Sequence, residues 1–232
     1  MSKLIQLNTN QKTIFIGDIH GDLETLDKIL KLYNPIQNRL VFLGDYVDRG
    51  DKSKEVLDIL FELKHRYVDN IIMLMGNHEA YPVIFFKPTN FWEGIEKNEA
   101  LYQYYSKNLV DLPLSVSLGN IIALHAAIPD VNNIEEINST PIDAYNENFI
   151  RMIWADFADN VTGNERRPTF DKNYFTRIMD SIGKKILIRS HDPYVNVSMF
   201  DGRCITLMTS RFYSSKKRIA IVSGEDIKIE YI

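Results

Sequence analysis

The chain has 232 residues, of which 45% are hydrophobic, 25% charged and 11% aromatic. That is ordinary globular composition and excludes a mostly disordered chain, a collagen or a coiled coil. Lys and Arg number 27 against 31 Asp and Glu, a net charge of −4, so the chain lacks the general electrostatic footprint of a nucleic-acid binder.

Length fits one domain over residues 1–232 with a sizeable core. Cys204 is the single cysteine, so no intrachain disulfide forms, which fits a reducing compartment. No apolar run reaches signal-peptide or membrane-span length, and a cytoplasmic protein with no membrane partner is expected. Lys12 to Ile16 reads as a short strand ending in Gly17-Asp18. Asp22 can cap a helix in which Leu23, Leu26, Leu30 and Tyr33 recur at helical spacing. Arg39 to Leu43 is a second strand, ending in Gly44-Asp45, and Ser53 can cap a second helix with Val56, Leu57, Leu60 and Phe61 on one face. Asn70 to Met75 is a third strand, ending in Gly76-Asn77. This βαβαβ pattern predicts a parallel sheet. Leu101, Tyr104, Tyr105 and Leu109 then mark another helix, and Leu114 to Leu118 and Ile121 to His125 form two strands around the hairpin turn Gly119-Asn120. Asp130 to Asn148 is polar and turn-rich, a surface excursion. Phe170 to Ile182 reads as a helix, Lys185 to Arg189 as a strand, and the tail as short strands with turns at Asp201-Gly202 and Gly224-Glu225. The expected class is α/β, parallel first and hairpins later.

Each early strand ends in glycine followed by a metal-ligand type, in the segments Gly17-Asp18-Ile19-His20-Gly21, Gly44-Asp45-Tyr46-Val47-Asp48-Arg49-Gly50 and Gly76-Asn77-His78-Glu79. Loops at the carboxyl ends of parallel strands converge on one crevice, so Asp18, His20, Asp45 and Asn77 can meet despite their separation. Any one of these dipeptides could be a plain helix cap or turn; three in succession point to a site. Mixed carboxylate and imidazole ligands around a shared carboxylate suit two divalent ions that clamp a phosphoryl group in line.

These segments resemble GDxHG, GDxVDRG and GNHE, the signature of the PPP-type serine/threonine protein phosphatases within the calcineurin-like metallophosphoesterases, in order and approximate spacing. The compact length is more similar to the small prokaryotic members. Weaker matches follow at His125-Ala126-Ala127, Trp154-Ala155-Asp156 and Arg189-Ser190-His191, where Ser190 stands in place of a common glycine. The resemblance implies a central β-sandwich flanked by α-helices. It implies two divalent metal ions, manganese by expectation with iron or zinc as alternatives. Asp18 and His20 would hold one ion, Asn77, His125 and His191 the other, and Asp45 would bridge them. A metal-bound hydroxide would attack phosphorus directly. His78 would be the general acid, oriented by Asp48, which would raise its pKa; a salt bridge from Asp48 to an arginine is the plainer alternative. Arg49 and Asn77 would bind phosphate with Arg166 of Asn164-Glu165-Arg166, or with Arg167 one residue on. In Thr209-Ser210-Arg211-Phe212-Tyr213-Ser214, Tyr213 would face substrate, and Arg211 would add an anion contact or face solvent. Trp154 is expected in the core, Asp156 near the site or at a turn, Cys204 buried and His65 solvated.

The activity implied is hydrolysis of phosphoserine and phosphothreonine monoesters, with phosphotyrosine open, and the partner is a phosphoprotein or phosphopeptide. Two alternatives are a dinucleoside polyphosphate hydrolase of the same superfamily and an inactive phosphopeptide-binding scaffold. Asp48-Arg49-Gly50 and Glu79 favour the protein phosphatase over the first, and the full set of ligand residues argues against the second.

Overall fold

Three short strands, β2 (Thr13–Ile16), β3 (Arg39–Phe42) and β4 (Ile71–Met73), lie side by side in parallel register. Ile14 and Ile16 of β2 and Leu40 and Phe42 of β3 face one way, into a core shared with the helices. The alternate residues Phe15 and Val41 face the other way. Both faces are covered, which is why these strands read as near-continuous apolar runs. The crossovers are α1 (Leu23–Leu32) and α2 (Ser53–Arg66). Asp22 caps α1, accepting from the Thr25 amide at 3.2 Å, a contact that satisfies one of the free first-turn amides. Ser53 does not cap α2: Lys52 holds that position, and the Ser53 hydroxyl instead accepts from the Asp48 amide at 3.0 Å.

The computed structural model describes residues 2–163, 165–213 and 216–232; Asn164 and Ser214, named above, lie outside them. The further elements are β1 (Leu4–Leu7), α3 (Asn90–Ile95), α4 (Glu99–Val110), β5 (Ser115–Leu118), β6 (Ile121–Leu124), a 3-10 helix (Ile134–Ser139), α5 (Glu147–Trp154), β7 (Asp156–Phe157), β8 (Thr169–Phe170), α6 (Lys172–Ser181), β9 (Ile186–Arg189), β10 (Ser198–Met199), β11 (Cys204–Thr206), β12 (Arg218–Ser223) and β13 (Asp226–Tyr231). Among the described residues they form two large sheets, ordered β13-β12-β2-β3-β4 and β1-β5-β6-β9-β11-β10, beside the small pair β7-β8. Phe15, Val41 and Ile72 from the first large sheet meet Val116, Ala123 and Ile188 from the second in one apolar layer. The architecture is a β-sandwich with helices outside, the arrangement that the resemblance implies.

The later half is not hairpins alone. β5-β6 and β12-β13 are antiparallel, but β6, β9 and β11 run parallel. The excursion after His125 carries the 3-10 helix and α5, and with α6 it forms the crossover that a parallel β6-β9 pair requires. A parallel bridge between Asp18 and Met208 joins the end of β2 to the end of β11. The carboxyl ends of β2, β3, β4, β6 and β9 therefore open on one edge of the sandwich. Among the described residues no helix is long and apolar enough to cross a membrane.

Candidate active site

Asp18 and His20 follow β2, Asp45 follows β3, Asn77 and His78 follow β4, His125 follows β6 and His191 follows β9. All are buried. The chain bends sharply to bring them in: His20, Asp45, Asp48, Arg49 and His191 have φ of 49°, 55°, 66°, 68° and 75°. Left-handed backbone is uncommon for residues other than glycine and gathers where surrounding structure enforces it. Gly76 lets the β4 loop close against Asp45, since a Cβ there would lie 2.3 Å from Asp45 Oδ1.

The ligand atoms fall into two groups that share Asp45. In the first, His20 Nε2 is 3.7 Å from Asp18 Oδ2 and 3.5 Å from Asp45 Oδ2. In the second, His125 Nε2 is 3.5 Å from Asp45 Oδ1 and 3.1 Å from both Asn77 Oδ1 and His191 Nδ1. Ligands held at ~2.1 Å from one ion stand about 3.0–3.4 Å apart, so the spacing fits a metal in each group. The tautomers fit as well. His20 Nδ1 donates to the Val47 carbonyl at 2.7 Å and His125 Nδ1 to the Leu43 carbonyl at 3.0 Å, which turns a lone pair on each Nε2 into the site. Asp18 Oδ2 and His20 Nε2 are buried and have no hydrogen-bond partner, as expected of atoms reserved for a cation.

Electrostatics point the same way. Burial pushes Asp18 up to about 6 and Asp45 well above the usual carboxylate range, with Asp18 and Glu79 adding repulsion at Asp45. Burial likewise holds His20, His125 and His191 well below the usual imidazole value. Neutral imidazoles around buried carboxylates are a divalent-cation environment.

His78 lies to one side. Its Nδ1 is 2.6 Å from Asp48 Oδ2, and its Nε2 faces the site, 3.9 Å from Asp45 Oδ2. The other Asp48 oxygen accepts from the Phe91 amide at 2.8 Å, and Trp92 Nε1 donates to the His78 carbonyl at 2.8 Å. Both donors belong to α3, an element the sequence reading did not find; Thr89 and Asn90 just after Pro88 were its local signal. Asp48 does raise the His78 pKa, but burial outweighs it and the net direction is down, with Arg49 and Arg167 adding to the fall. The expected upward shift is therefore corrected for the metal-free chain.

Glu79 enters the sequence analysis only as a mark of the motif. It is buried and accepts from the amides of Asp45, Tyr46 and Gly76 at 2.7, 2.9 and 3.0 Å. It thus ties the β3 and β4 loops together behind the Asp45 carboxylate. A motif acid next to the His78 position was the available signal.

Above the ligands lies a cavity of about 460 Å³ lined by Arg49, Arg166, Arg167, His191, Tyr194 and Tyr213, among others. Arg49 stands 5.9 Å from the Tyr213 ring, and that ring is 5.2 Å from His20. Arg166, the arginine expected from the sequence, is exposed. Arg167 is directed at the ligands, with Nη1 2.7 Å from His191 Nε2 and its guanidinium 5.7 Å from the Trp154 ring. Trp154 is half-buried, packs against the main core as expected, and has Arg167 and Phe86 against its ring. Asp156 lies 3.6 Å from His191 Nε2, 3.7 Å from Arg167 and 3.4 Å from the buried Arg189. Arg211 does not reach the cavity; it pairs with Glu24 at 2.7 Å. Cys204 is buried and His65 exposed, as expected.

The profile of the calcineurin-like phosphoesterases matches residues 11–194. The chain belongs to this family. It is 30% identical over 215 residues to the serine/threonine-protein phosphatase 4 catalytic subunit of Eremothecium gossypii, covering 85% of this chain and 68% of that one. It is 26% identical to serine/threonine-protein phosphatase T of Aspergillus oryzae, covering 98% of this chain and 52% of that one. Among solved structures, a protein serine/threonine phosphatase from Saccharomyces cerevisiae superposes with a TM-score of 0.87 at 19% identity, over 100% of this chain and 84% of that one. A putative diadenosine tetraphosphatase shares the fold at a TM-score of 0.57 and 16% identity, over 100% of this chain and 98% of that one.

Proposed function

We propose that this phosphoesterase is a dinuclear-metal protein phosphatase that hydrolyses phosphoserine and phosphothreonine monoesters. The observation that carries the reading is Asp45, whose two oxygens each face a separate group of ligand atoms. Asp18, His20 and Asp45 would hold one ion; Asp45, Asn77, His125 and His191 would hold the other. Two divalent cations there, manganese by preference with iron or zinc as alternatives, would supply Lewis acidity and a water acidic enough to act as nucleophile near neutral pH.

The chain's own residues supply the rest. Arg49 and Arg167 receive the phosphate, since a planar guanidinium can donate to two oxygens at once. Arg167 Nη1 and the Trp154 carbonyl both lie near His191 Nε2, the carbonyl at 3.1 Å. With Nδ1 as the metal ligand, Nε2 would carry the proton and donate to Trp154, leaving Arg167 free for an anion. His78 gives its Nε2 proton to the leaving oxygen, while Asp48 holds Nδ1 and favours the imidazolium when the dianionic substrate draws near. Tyr213 closes the cavity beside Arg49. The substrate preference is supported by the relatives named above as serine/threonine phosphatases and by the Asp48-Arg49-Gly50 and Glu79 segments.

The test is an assay of phosphoserine, phosphothreonine and phosphotyrosine peptides and a dinucleoside tetraphosphate with manganese, iron, zinc and magnesium. Metal-dependent release of phosphate, fastest from the serine or threonine peptides, is expected. Preference for the tetraphosphate would replace this reading with the polyphosphate hydrolase, and metal binding without any hydrolysis would leave a binding module.

A further inference from the structure

Ser190, between β9 and His191, is fully buried, and it contacts Asp18 in two ways while His191 adds a third contact. Its Oγ accepts from the Asp18 amide at 2.9 Å, its hydroxyl donates to Asp18 Oδ1, and the next amide, that of His191, also donates to Oδ1 at 3.3 Å. One carboxylate oxygen is therefore occupied twice by the β9 loop. The other, Oδ2, is buried, has no partner and faces His20 Nε2.

We propose that Ser190 is a positioning residue for the first metal, fixing the Asp18 carboxylate so that Oδ2 alone is presented to the ion. The inference rests on the dinuclear reading above. The hydroxyl has one proton and two acceptors in reach, Asp18 Oδ1 and the Leu207 carbonyl at 2.9 Å. A hydrogen bond to an ionised carboxylate is the stronger of the two, so the proton goes to Asp18. Neither glycine nor alanine could supply this contact. Without it, Oδ1 keeps one long amide contact, the carboxylate can rotate about χ2, and the single conformation that suits the ion is diluted. The arrangement also links the two ions. Ser190 orients a ligand of the first and His191 is a ligand of the second, so one short segment after β9 serves both.

Groups that orient a metal ligand are typically worth 10–100-fold in metal affinity. The experiment is a calorimetric titration of the metal-free 232-residue chain with manganese chloride, for the wild type and Ser190→Ala. Electron paramagnetic resonance on the same samples reports whether the bound ions are spin-coupled. Two ions per chain are expected in the wild type. Ser190→Ala should weaken one of them by 10–100-fold and leave the other within about threefold, so that one added equivalent per chain gives an isolated manganese signal. Should Ser190→Ala not fold, Ser190→Gly carries the same test. Two ions bound as in the wild type, or both weakened equally, would overturn the role of Ser190 while leaving the metal centre standing. A wild type that binds no pair of ions would overturn the metal centre itself.

Discussion

His78 and His191 are both buried histidines of one site, and their surroundings set them apart. His78 Nδ1 is taken by Asp48 and its Nε2 lies 3.9 Å from Asp45 Oδ2, whereas His191 Nδ1 lies 3.1 Å from His125 Nε2 and, among the described residues, is not held by a carboxylate. His191→Ala should therefore lower manganese affinity as well as rate. His78→Ala should keep the metals and lose rate by ~10²–10⁴-fold on a phosphoserine peptide, whose alkoxide leaves poorly without a proton. The loss should be much smaller on p-nitrophenyl phosphate. Equal losses on both substrates, or release of metal from His78→Ala, would remove the general-acid role. The two arginines separate in the same manner. Arg167→Ala removes a charge-assisted contact to phosphate worth ~1.5–3 kcal/mol, so kcat/KM should fall by about 10–100-fold. Arg166→Ala, at an exposed position, should change it by no more than a few-fold. The reverse ranking would return the role to Arg166.

At the scale of elements, the site is a set of loop ends held in left-handed turns, and Glu79 is the clamp on two of them. Its carboxylate satisfies three buried amides, those of Asp45, Tyr46 and Gly76. Glu79→Ala leaves these donors without their acceptor at roughly 1–3 kcal/mol each if water does not replace it. Thermal unfolding should shift down by about 6–12 °C for each ~3 kcal/mol lost in a chain of this size. Manganese affinity should fall with it, because the Asp45 backbone is no longer fixed. An unchanged midpoint would show that the clamp is not needed. How much of this was legible in the sequence follows from what each feature depends on. The three glycine-plus-ligand strand ends announce themselves locally, because sharp turns and ligand chemistry both leave residues in the string. The parallel pairing of β6 with β9 does not, since it depends on where the crossover from Ile134 to Ser181 packs. α3 is only six residues long and carries too little periodicity to stand out, yet its Phe91 amide holds Asp48. Arg166 and Arg167 differ by one step along a loop, and only the fold decides which side chain turns inward.

Across the whole molecule, both sheets and the loops of five strands converge on a buried patch that holds carboxylates and neutral imidazoles. Metal binding and proton release are then linked. The carboxylates carry raised values in the folded chain: Asp18 about 6, Glu79 about 7, and Asp45 well above its usual range. Below these values the folded, metal-free protein holds protons on Asp18 and Asp45 that an ion must displace. The histidines have the opposite shift, downward, so above pH 6.5 they are already neutral and release nothing. From acid towards pH 8 the competition from protons therefore only declines, and manganese affinity should rise by up to about tenfold per pH unit for each proton displaced. A ligand that binds the folded state alone stabilises it by RT ln(1 + [L]/Kd), so the gain in melting temperature from a fixed excess of manganese should be larger at pH 8 than at pH 5.5. Asp45→Asn removes the carboxylate proposed to bridge the ions and should abolish most of that gain at both values. Measuring melting temperature with and without manganese at the two pH values, for the wild type and this variant, checks the linkage without any substrate. A gain that shrinks as pH rises, or that survives Asp45→Asn intact, would mean that the stabilising ion binds somewhere other than this cluster.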